Sequence, residues 1–253
     1  QQLRKGNLRD PLHPTVGGVG YNSLHLTSNP IQYGGGSDNP MYLRWVNMMT
    51  RCYKPAAINY SKYGAKGVRV DSRWHDYQNF AHDMAQKLDA LEAVGIDVSE
   101  WHMDKDILGN GLLYSDETAT MLPREVNNLF GGKASTRTDG LPQWVTYISS
   151  PKYKNSPYKT KVNLGKDVPV FQQRHPTARE AFMAAAAVKR KHCYDVVTAY
   201  VPATHPDYDE ILNNVMLEIN SQIKSGFQKL RTPIIQSVVP GLTIVRTPAE
   251  AVA

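Results

Sequence analysis

HMDKDILGNGLLYSDETATMLPREVNNLF, residues 102–130, is the stretch whose reading decides the fold. An apolar-polar start, a turn at Gly109-Asn110-Gly111 and a second apolar pair predict two short strands, and Pro123 opens a helix behind them. The first strand ends in Asp104-Lys105-Asp106, and the helix carries Asn127 and Asn128. Two strands and a helix can set an early carboxylate beside a helical amide, a geometry suited to a divalent metal and phosphate oxygens.

Further pieces flank this block. Upstream lie GVGY (residues 18–21), RCY (51–53) and an extended segment ending in Trp74; within it are MDKDIL (103–108), Tyr114-Ser115 and PREVN (123–127). Taken in order, these resemble bacteriophage proteins of the HNH endonuclease type, over residues 3–219. The resemblance implies a ββα-metal core. In such a core a histidine deprotonates water, while an Asp and a helical His or Asn hold the cation. Asp104 and Asn127 match the ligand positions, for Mg2+ or another divalent cation, with Asp106 a further carboxylate nearby. Lys105 and Asp104 fall on the catalytic pair, so a lysine stands where the histidine belongs, and Thr118 replaces the loop Asn. A lysine ammonium is a poor proton acceptor at neutral pH unless strongly desolvated, but a good phosphate partner. His102 lies three residues earlier, and three steps along a strand reverse the face. The expectation is a retained scaffold with reduced or lost cleavage. An active nicking or homing endonuclease is the alternative.

The 253 residues allow one large or two small domains, and 41% hydrophobic with 21% charged residues is ordinary for a globular protein. Mean hydropathy is -0.45, and no apolar run approaches the ~20 residues of a membrane span. The polar, basic start QQLRKGNLRD has no apolar signal-peptide region. Cys52 and Cys193 are solitary, which predicts neither a zinc cluster nor a disulfide framework and points to a reducing cytosol. Net charge is +6 and the pI about 9.2. Residues 1–80 carry +6, 81–130 carry -7, 131–200 carry +8 and the rest -1. Two basic blocks thus flank an acidic centre, and basic blocks suit nucleic-acid phosphates.

Within the first basic block, residues 1–40 are Gly-, Pro- and Asn-rich and irregular. Pro40 opens a helix with Met41, Trp45, Met48 and Cys52 on its core side and Arg44, Asn47 and Arg51 opposite. That polar face is either solvated or DNA-facing. Lys62, Lys66 and Arg69 follow, interleaved with Tyr60 and Tyr63, a mixture that stacks on bases while neutralising phosphates or fills a small core. Residues 77–94 form an amphipathic helix with Phe80, Met84, Leu88 and Leu91 buried.

Residues 133–140 read as a linker, so the first domain spans 1–132. Beyond it, residues 141–224 predict three antiparallel strands and a helix opened by Pro176-Thr177. LPQWV (141–145), the Lys-rich hairpin and TAREAF (177–182) resemble the APETALA2-type DNA-binding module. The resemblance implies that sheet residues enter the major groove of double-stranded DNA, here Trp144, Lys152, Lys154, Lys159 and Lys161. A second helix is expected over 207–223. Residues 225–253, with Pro233, Pro240 and Pro248, read as an extended tail that either wraps its own domain or docks on other phage proteins.

The fold class expected is therefore α+β: a central HNH-like ββα core with flanking helices, then a small three-stranded antiparallel sheet plus helix. The implied setting is the cytoplasm of the infected bacterium, or the virion if the scaffold serves assembly. No GxSxG, GxxxxGK[ST] or HExxH motif occurs, and the histidines form no readable cluster.

Overall fold

The computed structural model describes residues 10, 12–24, 26, 33–130, 139–165 and 168–231. Residues 131–138, which include most of the expected linker 133–140, and the tail beyond 231 lie outside the described residues. The fold is mixed α+β, with helices and a small three-stranded antiparallel sheet. Two compact units make up the chain. The first is Gln1–Arg124 with Ala203–Tyr208; the second is Glu125–Pro202 with Asp209–Ala253.

The first unit is built on two helices, α1 (Pro40–Tyr53) and α2 (Tyr77–Glu92). Asn39 caps α1 by accepting from the backbone N–H groups of Met41 and Tyr42, and Pro40 fits the first turn, where no N–H is needed. The expected stripe is buried: Trp45, Met48 and Cys52 join Trp74, Tyr77, Phe80, Met84 and Leu91 in one core. Polar atoms brought inside are paired. Trp45 Nε1 donates to the Trp74 carbonyl at 2.8 Å, and Trp74 Nε1 to Asp83 at 2.8 Å. The Asp83 carboxylate also receives Arg73. Asp76 caps α2 and accepts from Ser23, which ties residues 16–24 to the helix start.

The central stretch folds differently from its first reading. Strand β1 is Arg69–Val70, β2 His102–Asp104, β3 Leu113–Tyr114 and β4 Thr120–Leu122. The Gly-Asn-Gly segment does not fold β3 back on β2. Instead β2 pairs antiparallel with β4, Met103 opposite Met121, and β3 pairs parallel with β1. The cause is local. Asp104 Oδ1 accepts from the N–H of Asp106 and of Ile107, both at 2.8 Å, and turns the chain out of the β2 line. Arg69 N–H then takes the Leu112 carbonyl and Asp71 N–H the Tyr114 carbonyl. The short helix α3, Arg124–Asn127, follows β4.

Residues 203–208 complete this unit. His205, 4% exposed, stacks on Trp101 with ring centroids 5.8 Å apart. Its Nδ1 accepts from Asp207 N–H at 3.0 Å, so Nε2 carries the proton and donates to the Met121 carbonyl at 3.1 Å. Asp207 in turn accepts from Thr120 and lies 3.7 Å from Lys87 Nζ. Burial lowers the His205 pKa, and Lys87 lowers it further; the Met121 carbonyl and Asp207 oppose the shift. A lowered histidine stays neutral in the fold while the unfolded chain protonates near ~6.5. Its contribution is present above that value and is lost as pH falls from there through the lowered folded pKa. Urea midpoints of the first unit should therefore drop between neutral and mildly acid pH. His205→Gln should flatten that part of the profile; an unchanged slope in the variant would assign the drop to carboxylates instead.

The second unit carries strands β5 (Val145–Tyr147), β6 (Tyr158–Val162) and β7 (Phe171–His175), ordered β5-β6-β7. Helix α4 (Ala178–Tyr200) is capped by Thr177, whose hydroxyl accepts from Glu180 N–H. It covers one sheet face, burying Ala181, Phe182 and Ala185 with Val145 and Val162. The last helix, α5, runs Tyr208–Arg231 rather than ending at 223, so residues 225–231 are helical and not part of an extended tail. Gly226 is the reason that α5 can pack there: a Cβ at this position would run into the ring of Phe182. Among the described residues no helix is long and apolar enough to cross a membrane.

Candidate nucleic-acid interface

Strand alternation sorts the second unit's side chains. The Thr160 hydroxyl donates to the Ala181 carbonyl at 2.7 Å, so Thr160 points at α4. Its neighbours Lys159 and Lys161 therefore stand on the face away from α4. Register adds what sequence reasoning missed. Arg174 of β7 lies directly opposite Lys159, and Gln172 opposite Lys161. The Arg174 guanidinium carbon sits 3.3 Å from the centroid of Tyr153, in the turn Pro151–Tyr153, beside exposed Lys152 and Lys154. Its Nη1 is buried and finds no hydrogen-bond partner among the described residues. The only sequence signal for Arg174 was strand alternation through VPVFQQRH, where Pro169 obscured the register.

Trp144 does not join this face. It has φ 66°, the one non-glycine residue in the left-handed region among the described residues. That reversal turns its indole toward α4, where it stacks on Phe182 at 5.9 Å and 9°. Trp144 is half-buried and packs against the Phe182 cluster.

In the first unit the expected cations divide by partner. Arg44 donates to the carbonyls of Ser99 (2.9 Å) and Trp101 (3.4 Å), and burial lowers its pKa. It pins the segment before β2, so the polar face of α1 is not a uniform surface. Asn47, Lys62, Lys66 and Arg69 are exposed. Arg51 lies over the rings of Tyr63 and Tyr114.

Lys105 folds inward rather than standing clear in solvent. It is 6% exposed, donates to Asp106 Oδ1 at 2.7 Å and lies over the same two rings as Arg51. Asp104 is half-buried, and burial raises its pKa, with the two backbone N–H bonds acting against the rise. Asn127 falls in the second unit. Around Asp104 the first unit offers one carboxylate already bonded to two N–H groups, and a neighbour, Asp106, bound to Lys105. Among the described residues no three His, Cys, Asp or Glu side chains gather as a metal-holding group. That donor set is thin for a divalent cation, which takes about six oxygen ligands, and no step is derived through one. Thr118 donates to the Leu113 carbonyl at 2.7 Å and accepts from Ser115 N–H, closing the turn before β4.

Cys52 and Cys193 are both buried free thiols, and burial pushes the Cys52 pKa up to about 11. A protonated, enclosed thiol is a packing group, not a nucleophile. No protein-family model, no curated protein and no solved structure matches this chain.

Proposed function

We propose that this chain is a double-stranded-DNA-binding protein of the phage HNH-like type, with reduced or lost cleavage. The observation that carries the reading is the Lys159–Arg174 pair on the sheet face away from α4. Like charges directly opposite across strands destabilise a sheet, and an anion laid over them removes that cost. Lys161 continues the same face, and Lys152 and Lys154 extend the positive charge into the adjoining turn. A cationic sheet face suits the phosphates and base edges of a duplex groove.

The weak-cleavage half of the proposal rests on Lys105. Its Nζ is buried, donates to the Asp106 carboxylate and lies over two aromatic rings, so the atom that would have to take a proton from water is already engaged. The alternative, a metal-dependent nicking enzyme using Asp104 and Asn127, would need a base other than Lys105.

Duplex affinity measured across a range of sodium chloride tests the reading. Four or five neutralised phosphates give a log–log slope of about -4. A shallow slope, or no binding at low salt, would remove the DNA reading and leave the virion-component reading, with the residues after 231 as the place to look for a partner. Incubating supercoiled plasmid with Mg2+ or Mn2+ beside Asp104→Ala separates binding from cutting. Nicking by the parent alone would overturn the weak-cleavage half.

A further inference from the structure

The heads of Arg51, in the last turn of α1, and Lys105, just after β2, share two aromatic rings. The Arg51 guanidinium carbon lies 4.6 Å from the Tyr63 centroid and 4.9 Å from that of Tyr114. Lys105 Nζ lies 5.5 and 5.6 Å from the same two centroids. Tyr114 is 2% exposed and Lys105 6%, so this is a constructed part of the first unit. All four residues belong to that unit.

The charges of the cluster do not balance. Among the described residues the carboxylate in ion-pair contact is that of Asp106, on Lys105 Nζ, and its side chain is 67% exposed. Asp104 acts on Lys105 only at longer range and is committed to backbone N–H groups. Arg51 Nε is buried and has no hydrogen-bond partner among the described residues. Two cations that share ring faces repel each other, and a buried N–H without an acceptor is costly. Ring faces offset part of this, but they supply no acceptor atom for an N–H fork.

We infer that Arg51 and Lys105, walled by Tyr63 and Tyr114, form an oxyanion site that takes a phosphate group. The phosphate is either free inorganic phosphate or a phosphodiester of a nucleic-acid backbone. A tetrahedral oxyanion meets the planar fork of Arg51 through two oxygens and the point charge of Lys105 through a third. On entry it replaces Asp106 on Lys105, and the exposed Asp106 carboxylate turns to water. Exposed Lys62, Lys66 and Arg69, on segments that pack beside α1, raise the local anion concentration. The site needs only the first unit, and it stands whether or not the sheet of the second unit binds a duplex.

The test follows the Arg51 Nε–Hε resonance of the full chain, assigned by its disappearance in Arg51→Lys. Inorganic phosphate and a short DNA duplex are titrated separately. A saturable shift of that resonance is expected. Asp106→Asn removes the competing carboxylate without changing shape, and should tighten the response about threefold to tenfold; Lys105→Met should weaken it about tenfold. Should Lys105→Met not fold, Asp106→Asn carries the test alone. A shift with phosphate but none with duplex assigns a free anion as ligand; a shift with both assigns the backbone. A resonance unmoved by either probe, or a response that Asp106→Asn leaves unchanged, overturns the inference. Protein that answers phosphate but never binds duplex overturns the proposed function and leaves this site standing.

Discussion

Phe182→Ala should cost the second unit about 3–5 kcal/mol, the range for removing a fully enclosed aromatic ring. Phe182 has no exposure. Its ring stacks on Trp144 at 5.9 Å, meets Phe227 edge-on at 5.1 Å and abuts Gly226 of α5. It therefore joins the sheet, α4 and α5 at one point. Truncation leaves a void lined by rigid groups, and Trp144, with φ 66°, has little freedom to follow. Urea denaturation read by tryptophan fluorescence checks it, since Trp144 reports locally. Gly226→Ala tests the same contact from the other side: its methyl meets the ring, so it should also destabilise, although alanine favours helix over glycine by about 1 kcal/mol. A stabilised Gly226→Ala would mean that the ring yields easily.

Lys159→Glu with Lys161→Glu should lower duplex affinity by about a hundredfold or more at moderate salt, and should reduce the salt slope by about 2. Stability should not fall with it. Lys161 is exposed, and Lys159→Glu turns a repulsive pair with Arg174 into an attractive one. The combination is diagnostic, because general damage to the fold would lower both quantities together. Binding and slope that survive the double reversal would move the interface off this sheet.

Local signals carried much of the architecture. Asn39-Pro40 and Thr177 are caps whose side chains are seen bonding to the first helical N–H groups. The Trp45, Met48, Cys52 stripe and the Phe80, Met84, Leu88, Leu91 stripe are buried as their spacing required. What spacing did not carry is pairing at a distance. The parallel contact of β1 with β3 joins residues 69–70 to 113–114, and nothing in a two-residue strand names its partner. Strand β4 was hidden in TATML, where the alternation is too short to separate from a turn. Cation counts did not tell committed from available charge either. Arg44 and Lys105 looked no different from Lys161 until the Ser99 carbonyl and the Asp106 carboxylate were seen beside them. Arg174 escaped notice because Pro169 masked the strand, and the stacking of Trp144 on Phe182 was not legible because it depends on one left-handed residue.

Residues 203–208 have a bearing on how the molecule can be taken apart. The chain builds most of its first unit, enters the second, and then returns residues 203–208 to the first as α5 begins. An N-terminal piece that stops in the 131–138 region lacks the imidazole that lies flat on Trp101 and the carboxylate that receives Thr120. The two halves are interlaced along the backbone. Dissection at the obvious seam removes a stopper from one of them, and adding the missing hexapeptide in trans is the way to restore it.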